Sequence, residues 1–145
     1  MTELEVKIAN SPESISRCWP AMHALRPSCP EHTFAETIQR LMKRGYQLVF
    51  LEYDGKVVAV AGFETGEKLH RGRYLYIDDL STLPEYRGRG LGSRLLEWIF
   101  EFAGKQGIQQ IHLDSGVQRF DAHRLYLKKG FNITSHHFCY KMNET

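Results

Sequence analysis

The sequence predicts one α/β domain, a mixed sheet covered by helices on both sides. Three observations predict it. Runs with strand character and runs with helical spacing alternate along the 145 residues. Asp54-Gly55 separates two β-rich runs as a tight hairpin would. A third β-rich run, Arg73 to Leu83, passes through a glycine-rich turn straight into an amphipathic segment. A chain of this length holds one ordinary core and is too short for two, so residues 1–145 are read as one domain.

Each element follows from local chemistry. Leu4 to Ala9 alternates as a short strand, and Ser11-Pro12-Glu13-Ser14 then offers an N-cap, a first-turn proline and an early acid, predicting a helix to about Leu25. Pro27 and Pro30 end it. A second helix is expected from Glu31 to Lys43, with Phe34, Ile38, Leu41 and Met42 at helical spacing and Gly45 at its end. Gln47 to Tyr53 and Lys56 to Glu64 form the hairpin, and a polar loop from Thr65 to Gly72 leads to the third strand. From Leu91 to Lys105 the residues Leu91, Leu95, Leu96, Ile99, Phe102 and Ala103 line one helical face. A short strand at Gln109 to Leu113, a short helix at Asp121 to Lys129 and one or two strands within Phe131 to Met142 complete the order.

Composition narrows the function classes. Hydrophobic residues are 42% and charged residues 25%, typical of globular domains, and the net charge of +2 is too small to argue for a nucleic-acid surface. No apolar run long enough to span a membrane occurs, and no signal-peptide pattern opens the chain. Cys18, Cys29 and Cys139 contain no C-x-x-C pair, and their odd number leaves a thiol unpaired in a chain acting alone, which suits a reducing cytoplasm. The seven histidines lack tight ligand spacing, and His136 and His137 would point to opposite sides of a strand, so no metal is expected.

The most informative stretch is Arg87-Gly88-Arg89-Gly90-Leu91-Gly92, with Ser93 following. Its glycines leave backbone N–H groups uncovered and permit positive φ, and the helix that begins there adds a partial positive charge. Arg71, Arg73, Arg87, Arg89 and Arg94 are expected to gather around it. Such a turn suits a phosphate, although a bare G-x-G-x-G run also fits an ordinary surface turn, and its arginines an RNA-binding patch, for which one copy lacks the repeated context.

The segment Leu80-Ser81-Thr82-Leu83-Pro84-Glu85-Tyr86-Arg87-Gly88-Arg89-Gly90-Leu91-Gly92-Ser93 resembles the acetyl-CoA signature of the GNAT superfamily of N-acetyltransferases, with Arg87, Gly90 and Gly92 at the signature places of R/Q-x-x-G-x-G/A. Asp121 to Phe131 resembles the family's later motif, A-x-x-F/L-Y-x-x-x-G-F. Leu113 to Arg119 with Ala122-His123-Arg124 is further similar to a branch of small bacterial enzymes that includes the aminoalkylphosphonate N-acetyltransferases. The resemblance implies a mostly antiparallel central sheet splayed in the middle, between the strand ending at Leu83 and that at Gln109 to Leu113. It implies acetyl-CoA as cosubstrate, its pantetheine arm paired near Leu80 and Thr82 and its pyrophosphate on the N–H groups of Arg87, Gly88, Arg89, Gly90, Leu91, Gly92 and Ser93. His123 falls near a family position that contacts the cofactor arm. Homodimers are frequent in the family.

The resemblance also assigns chemistry. Tyr126 matches the general acid, where the residues alone favour a core tyrosine, and the backbone N–H of Leu80 is the usual oxyanion donor. Asp78 and Asp79, adjacent acids in an apolar strand, are costly unless they face water or a partner. Alternation sends them to opposite faces, Asp78 with Tyr74, Tyr76 and Leu80. Asp78 is favoured as amine ligand or base, with Asp79 in reserve. Other family members carry a glutamate where this strand has Tyr74 or Tyr76, which leaves the base open. Arg119 suits an anionic acceptor or a loop cap. Trp19, Met22, Arg26 and Phe34 fall where the family builds its acceptor pocket, and a packing stripe explains the apolar ones equally well. The expected function is transfer of acetyl from acetyl-CoA to a primary amine of a small molecule. A non-catalytic acyl-CoA-binding domain and an enzyme acting on a peptide or protein amine are the alternatives.

Overall fold

A computed structural model describes residues 4–143. They divide into two compact units at Leu113 and Asp114.

The first unit is a five-stranded sheet in the order β1-β2-β3-β4-β5, formed by Lys7–Ile8, Gln47–Tyr53, Lys56–Lys68, Gly72–Thr82 and Ile111–Leu113. The first four strands are antiparallel and β5 is parallel to β4. The hairpin turn is as the dipeptide requires, with positive φ at both Asp54 (52°) and Gly55 (76°). β3 runs further than the sequence suggests, to Lys68 rather than Glu64, while β4 keeps its expected length one residue earlier. Thr65, Gly66, Glu67 and Lys68 pair with Leu75, Tyr74, Arg73 and Gly72, so ladder hydrogen bonds overrule a polar composition and the expected loop shrinks to a turn.

The single early helix becomes two, α1 (Pro12–Arg17) and α2 (Trp19–Leu25). Ser11 and Ser14 form a reciprocal capping box at the start. Pro20 has no N–H to offer the carbonyl of Ser16, and the chain breaks at Cys18. α3 (Phe34–Met42) begins three residues later than expected. α4 spans Leu91–Lys105 as the periodicity predicts, and buries Leu91, Leu95, Leu96, Ile99 and Ala103.

The two sheet faces are covered by different helices. Ser81 on β4 donates to the carbonyl of Ala21 on α2 (2.7 Å), whereas Phe63 on β3 packs against Trp98 and Phe102 of α4, with centroids at 6.2 and 5.3 Å. Between them lies a core in which Leu48, Leu51, Val60, Phe63, Leu75, Leu95 and Ile99 are fully buried. Among the described residues no helix is long and apolar enough to cross a membrane, and all three cysteines are free thiols.

The second unit contains α5 (Phe120–Lys128), closed by Gly130 at φ 99° with the Phe131 N–H bonded to the carbonyl of Tyr126. Beyond it the expected strands within Phe131 to Met142 do not form. Strand propensity is realised only against a partner ladder. None pairs with this segment among the described residues, and Phe138, Tyr140 and Met142 are exposed. His137 therefore does not alternate with His136 across a strand, and its Nδ1 lies 3.1 Å from Asp114.

Candidate functional site

The sheet is open where β4 outruns β5. Their parallel pairing ends at Ile77↔Leu113, so Asp78 to Thr82 have no strand on that side among the described residues. A bulge sets what this edge presents. Gly62 pairs with Asp79 and Phe63 with Ile77, which leaves Asp78 as the extra residue on β4. Leu75 donates its N–H to Gln110 beside β5, and Leu83 donates to Val58 on β3. Counting from those two bonds, the bulge shifts the alternation by one, and the N–H groups of Leu80 and Thr82 face the open edge. An extended ligand carrying amides could add there as a strand.

The bulge corrects the expected placement of the acids. Asp78 and Asp79 do not diverge to opposite faces; both line one pocket, with Leu41, Arg44, Tyr46 and Glu64. Leu80, which pairs with Ala61, goes to the other face. The pocket measures about 240 Å³.

Asp79 is fully engaged. Its Oδ1 accepts from Arg26 Nε (3.0 Å) and its Oδ2 from the Tyr46 hydroxyl (2.7 Å). Burial, with Asp79 beside it, holds the Tyr46 phenol well above the usual tyrosine range, so it remains a donor. Arg26 Nη2 also donates to the backbone carbonyl of Asp78 (2.8 Å), which ties the bulge to the end of α2. Gly62 admits the Tyr46 ring: a Cβ there would lie 2.8 Å from its Cε1 and would overlap Cζ and the hydroxyl.

Asp78 is different. Burial first, then the charges of Glu64 and Asp79, raise its carboxyl to about 6, against an opposing effect of Arg26. A carboxylate tuned this close to neutrality can accept a proton from an ammonium and release it again. Glu64 pairs with Tyr76, so β3 supplies a glutamate beside a position where the sequence of β4 offers only tyrosine.

Beyond β4, Pro84–Tyr86 makes a 3-10 turn and the chain reaches α4 through Gly88 and Gly90 at φ 78° and 79°. A Cβ at either would meet open space, and no side chain caps the helix. The first helical bond runs from Arg94 to Gly90, so the N–H groups of Leu91, Gly92 and Ser93 lack intrahelical acceptors and point off the end of a 15-residue helix. These features fit an anionic group such as a pyrophosphate. The arginines are not all gathered there. Arg87 donates to the carbonyl of Thr82 (3.2 Å) and Arg89 lies 5.1 Å from the Tyr86 ring centroid, but Arg71 packs over Tyr74 and Arg73 lies near Gly107, because these two stand at the start of β4, a strand's length from the turn that follows its end. Arg94 bonds the carbonyl of Leu4.

Of the early-helix residues only Arg26 reaches the acids. Met22 and Phe34 are core, and Trp19 stacks on His23 and donates to the carbonyl of Cys29. Tyr46, Gly62 and Glu64 were not singled out by sequence; a glycine inside a Val/Ala-rich strand is the one signal that pointed to a close approach.

In the second unit Tyr126 is buried edge-on to Phe131, with centroids at 5.8 Å. Burial raises its phenol, opposed by the charge and hydrogen bond of Arg119, so it holds its proton at neutral pH. His123 Nε2 donates to the carbonyl of Gly116 (2.8 Å), fixing the loop before α5.

Comparison with known proteins gives one consistent answer. The family model for the acetyltransferase (GNAT) family matches residues 13–131. The uncharacterized N-acetyltransferase YhdJ of Bacillus subtilis is 31% identical over 137 residues, 93% of this chain and 96% of its own. The aminoalkylphosphonate N-acetyltransferase of Salmonella typhimurium is 34% identical over 86 residues, 59% of this chain and 56% of its own. The solved structure of AAC(6')-Iy with a CoA-containing bisubstrate analog shares the fold at a TM-score of 0.82 with 15% identity, over 98% of this chain and 99% of that one.

Proposed function

This chain belongs to the GNAT family of acetyltransferases, whose acyl donor is acetyl-CoA, and from that premise we propose that it acetylates a primary amine of a small molecule by direct transfer. The observation that carries the reading is Asp78, a carboxyl near neutrality in a pocket walled by Glu64 and Asp79, beside the open edge of β4. Acetyl-CoA brings an activated thioester. The carbonyl of Leu80 and the N–H of Thr82 hold its arm, and the Gly88 to Ser93 turn holds its pyrophosphate. Asp78 takes one proton from the acceptor ammonium, leaving a neutral nitrogen, while the Leu80 N–H is aimed at the carbonyl oxygen that gains charge. Tyr126 gives its phenolic proton to the departing sulfur, and the second proton that the nitrogen loses as the amide forms restores the phenol. Direct transfer is supported by the thiols of the first unit: burial pushes Cys18 up to about 12 and raises Cys29, so neither is a ready acyl carrier.

The test is thermal and kinetic. Acetyl-CoA at about 100 times its Kd should stabilise the fold by ~2.7 kcal/mol, and free thiol should appear on incubation with a panel of amines including aminoalkylphosphonates. Initial rates should fit a sequential rather than a ping-pong scheme. Stabilisation without turnover on the whole panel would leave a binding domain, and turnover confined to peptide amines would move the acceptor to polypeptides.

Two substitutions probe the parts. Gly90→Val forces a β-branched residue into left-handed backbone, costing ~1–2 kcal/mol, and fills the cradle; acetyl-CoA affinity measured by calorimetry should drop about tenfold or more. Tyr126→Phe should lower kcat on the order of 100-fold with little change in acetyl-CoA affinity. An unchanged kcat removes it as proton donor.

A further inference from the structure

Resting on the acceptor pocket proposed above, we infer that the acceptor is a small zwitterion, with its ammonium held by Glu64 and Asp78 and a carboxylate, phosphonate or phosphate held by Arg44. The pocket contains four charged side chains of the first unit: Arg44, Glu64, Asp78 and Asp79. Asp79 is already answered by Arg26 and Tyr46. That leaves Glu64 and Asp78 for a cation.

Arg44 is what separates acceptor classes. It stands in the turn between α3 and β2, where Arg44 N–H bonds Leu41 (2.9 Å), Gly45 bonds Met42 (3.1 Å) and Tyr46 bonds Leu41 (3.2 Å). The backbone beneath it is therefore fixed, with Gly45 at φ 106° closing the helix. Arg44 is exposed at the rim of the pocket it lines, and its side chain has no hydrogen-bond or ion-pair partner among the described residues. A guanidinium without a partner, in the lining of the same pocket as two carboxylates, offers a planar donor fork to an acidic group.

Electrostatics then orders the acceptors. A monoamine meets Glu64 and Asp78 and leaves Arg44 unanswered. A diamine carries its second positive charge toward Arg44, a like-charge approach that costs affinity. A zwitterion meets both ends.

The experiment compares kcat/KM for ω-amino acids of two to five methylenes with alkylamines and α,ω-diamines of matched length, using the full chain and saturating acetyl-CoA. The best ω-amino acid should exceed its matched monoamine by about 10- to 100-fold, the range of a charge-assisted hydrogen bond. In Arg44→Gln that ratio should collapse toward one through KM, and in Arg44→Glu the diamine should overtake the amino acid. Thermal stabilisation by acetyl-CoA, retained in both variants, shows that they fold. A wild-type preference for diamines or monoamines, or an Arg44→Gln loss equal for all three acceptors, overturns the inference while leaving amine acetylation intact. Binding of acetyl-CoA with turnover of none of the three overturns it together with the function it rests on.

Discussion

Asp78→Asn should lower kcat/KM for the acceptor amine by about 100- to 1,000-fold while making the fold more stable at neutral pH. The opposite signs have one cause. Asp78 is held at about 6, above its ordinary value of 3.8, because burial, Glu64 and Asp79 disfavour its charge. A base must be ionised to act, so in the wild type kcat/KM should rise with pH through about 6, and in Asp78→Asn this limb should vanish. For stability the sign reverses. Between pH 3.8 and about 6 the folded state binds more protons at Asp78 than the unfolded state, so stability falls with rising pH over that window and the deficit persists above it. Asparagine removes the deficit, a gain on the order of 1 kcal/mol at pH 7 once solvent screening of this half-buried group is allowed for. Urea unfolding at pH 4 and pH 7 reads it directly: the variant's advantage should be present at 7 and absent at 4. Undiminished turnover would pass the base role to Glu64.

Gly62→Ala should destabilise the protein by about 2–4 kcal/mol, or lower its Tm by about 5–15 °C. The new methyl occupies the space of the Tyr46 phenol, whose hydroxyl end sits over that residue. Tyr46 must swing away, and its bond to Asp79 is lost with it. In a Tyr46→Ala background the same change should cost under about 0.5 kcal/mol, giving a coupling energy of about 1–3 kcal/mol in a double-mutant cycle. Equal costs in the two backgrounds would mean that backbone preference, not Tyr46, requires the glycine.

Much of the scaffold was legible because its signals are local. Asp54-Gly55 demands positive φ twice, and the turn has it; the 15-residue helix keeps one apolar face from Leu91 to Ala103; Gly88 and Gly90 adopt the left-handed backbone that leaves N–H groups bare. The failures are non-local. Thr65 to Lys68 read as loop and became strand because β4 lies beside them, whereas Phe131 to Met142 read as strand and stayed unpaired because no ladder accompanies them. Proline was legible in part: Pro27 and Pro30 follow the end of α2 at Leu25, as expected, while Pro20, inside the predicted helix, made the further break that α1 and α2 record.

The sequence by itself determined the fold class and the glycine turn whose bare N–H groups at the start of α4 fit an anion, since glycine conformation and helix termini depend on neighbours a few residues away. It also named Asp78 and Asp79 as the acids that matter. Only the tertiary structure decided their surroundings. A single extra residue at a bulge places both on one side, Tyr46 and Arg26 occupy Asp79, and Glu64 from the adjacent strand helps to raise Asp78. Ionisation and hydrogen bonding depend on what lies within a few ångströms, and those partners come from positions 26, 46 and 64, whose distances along the chain carry no hint of their meeting.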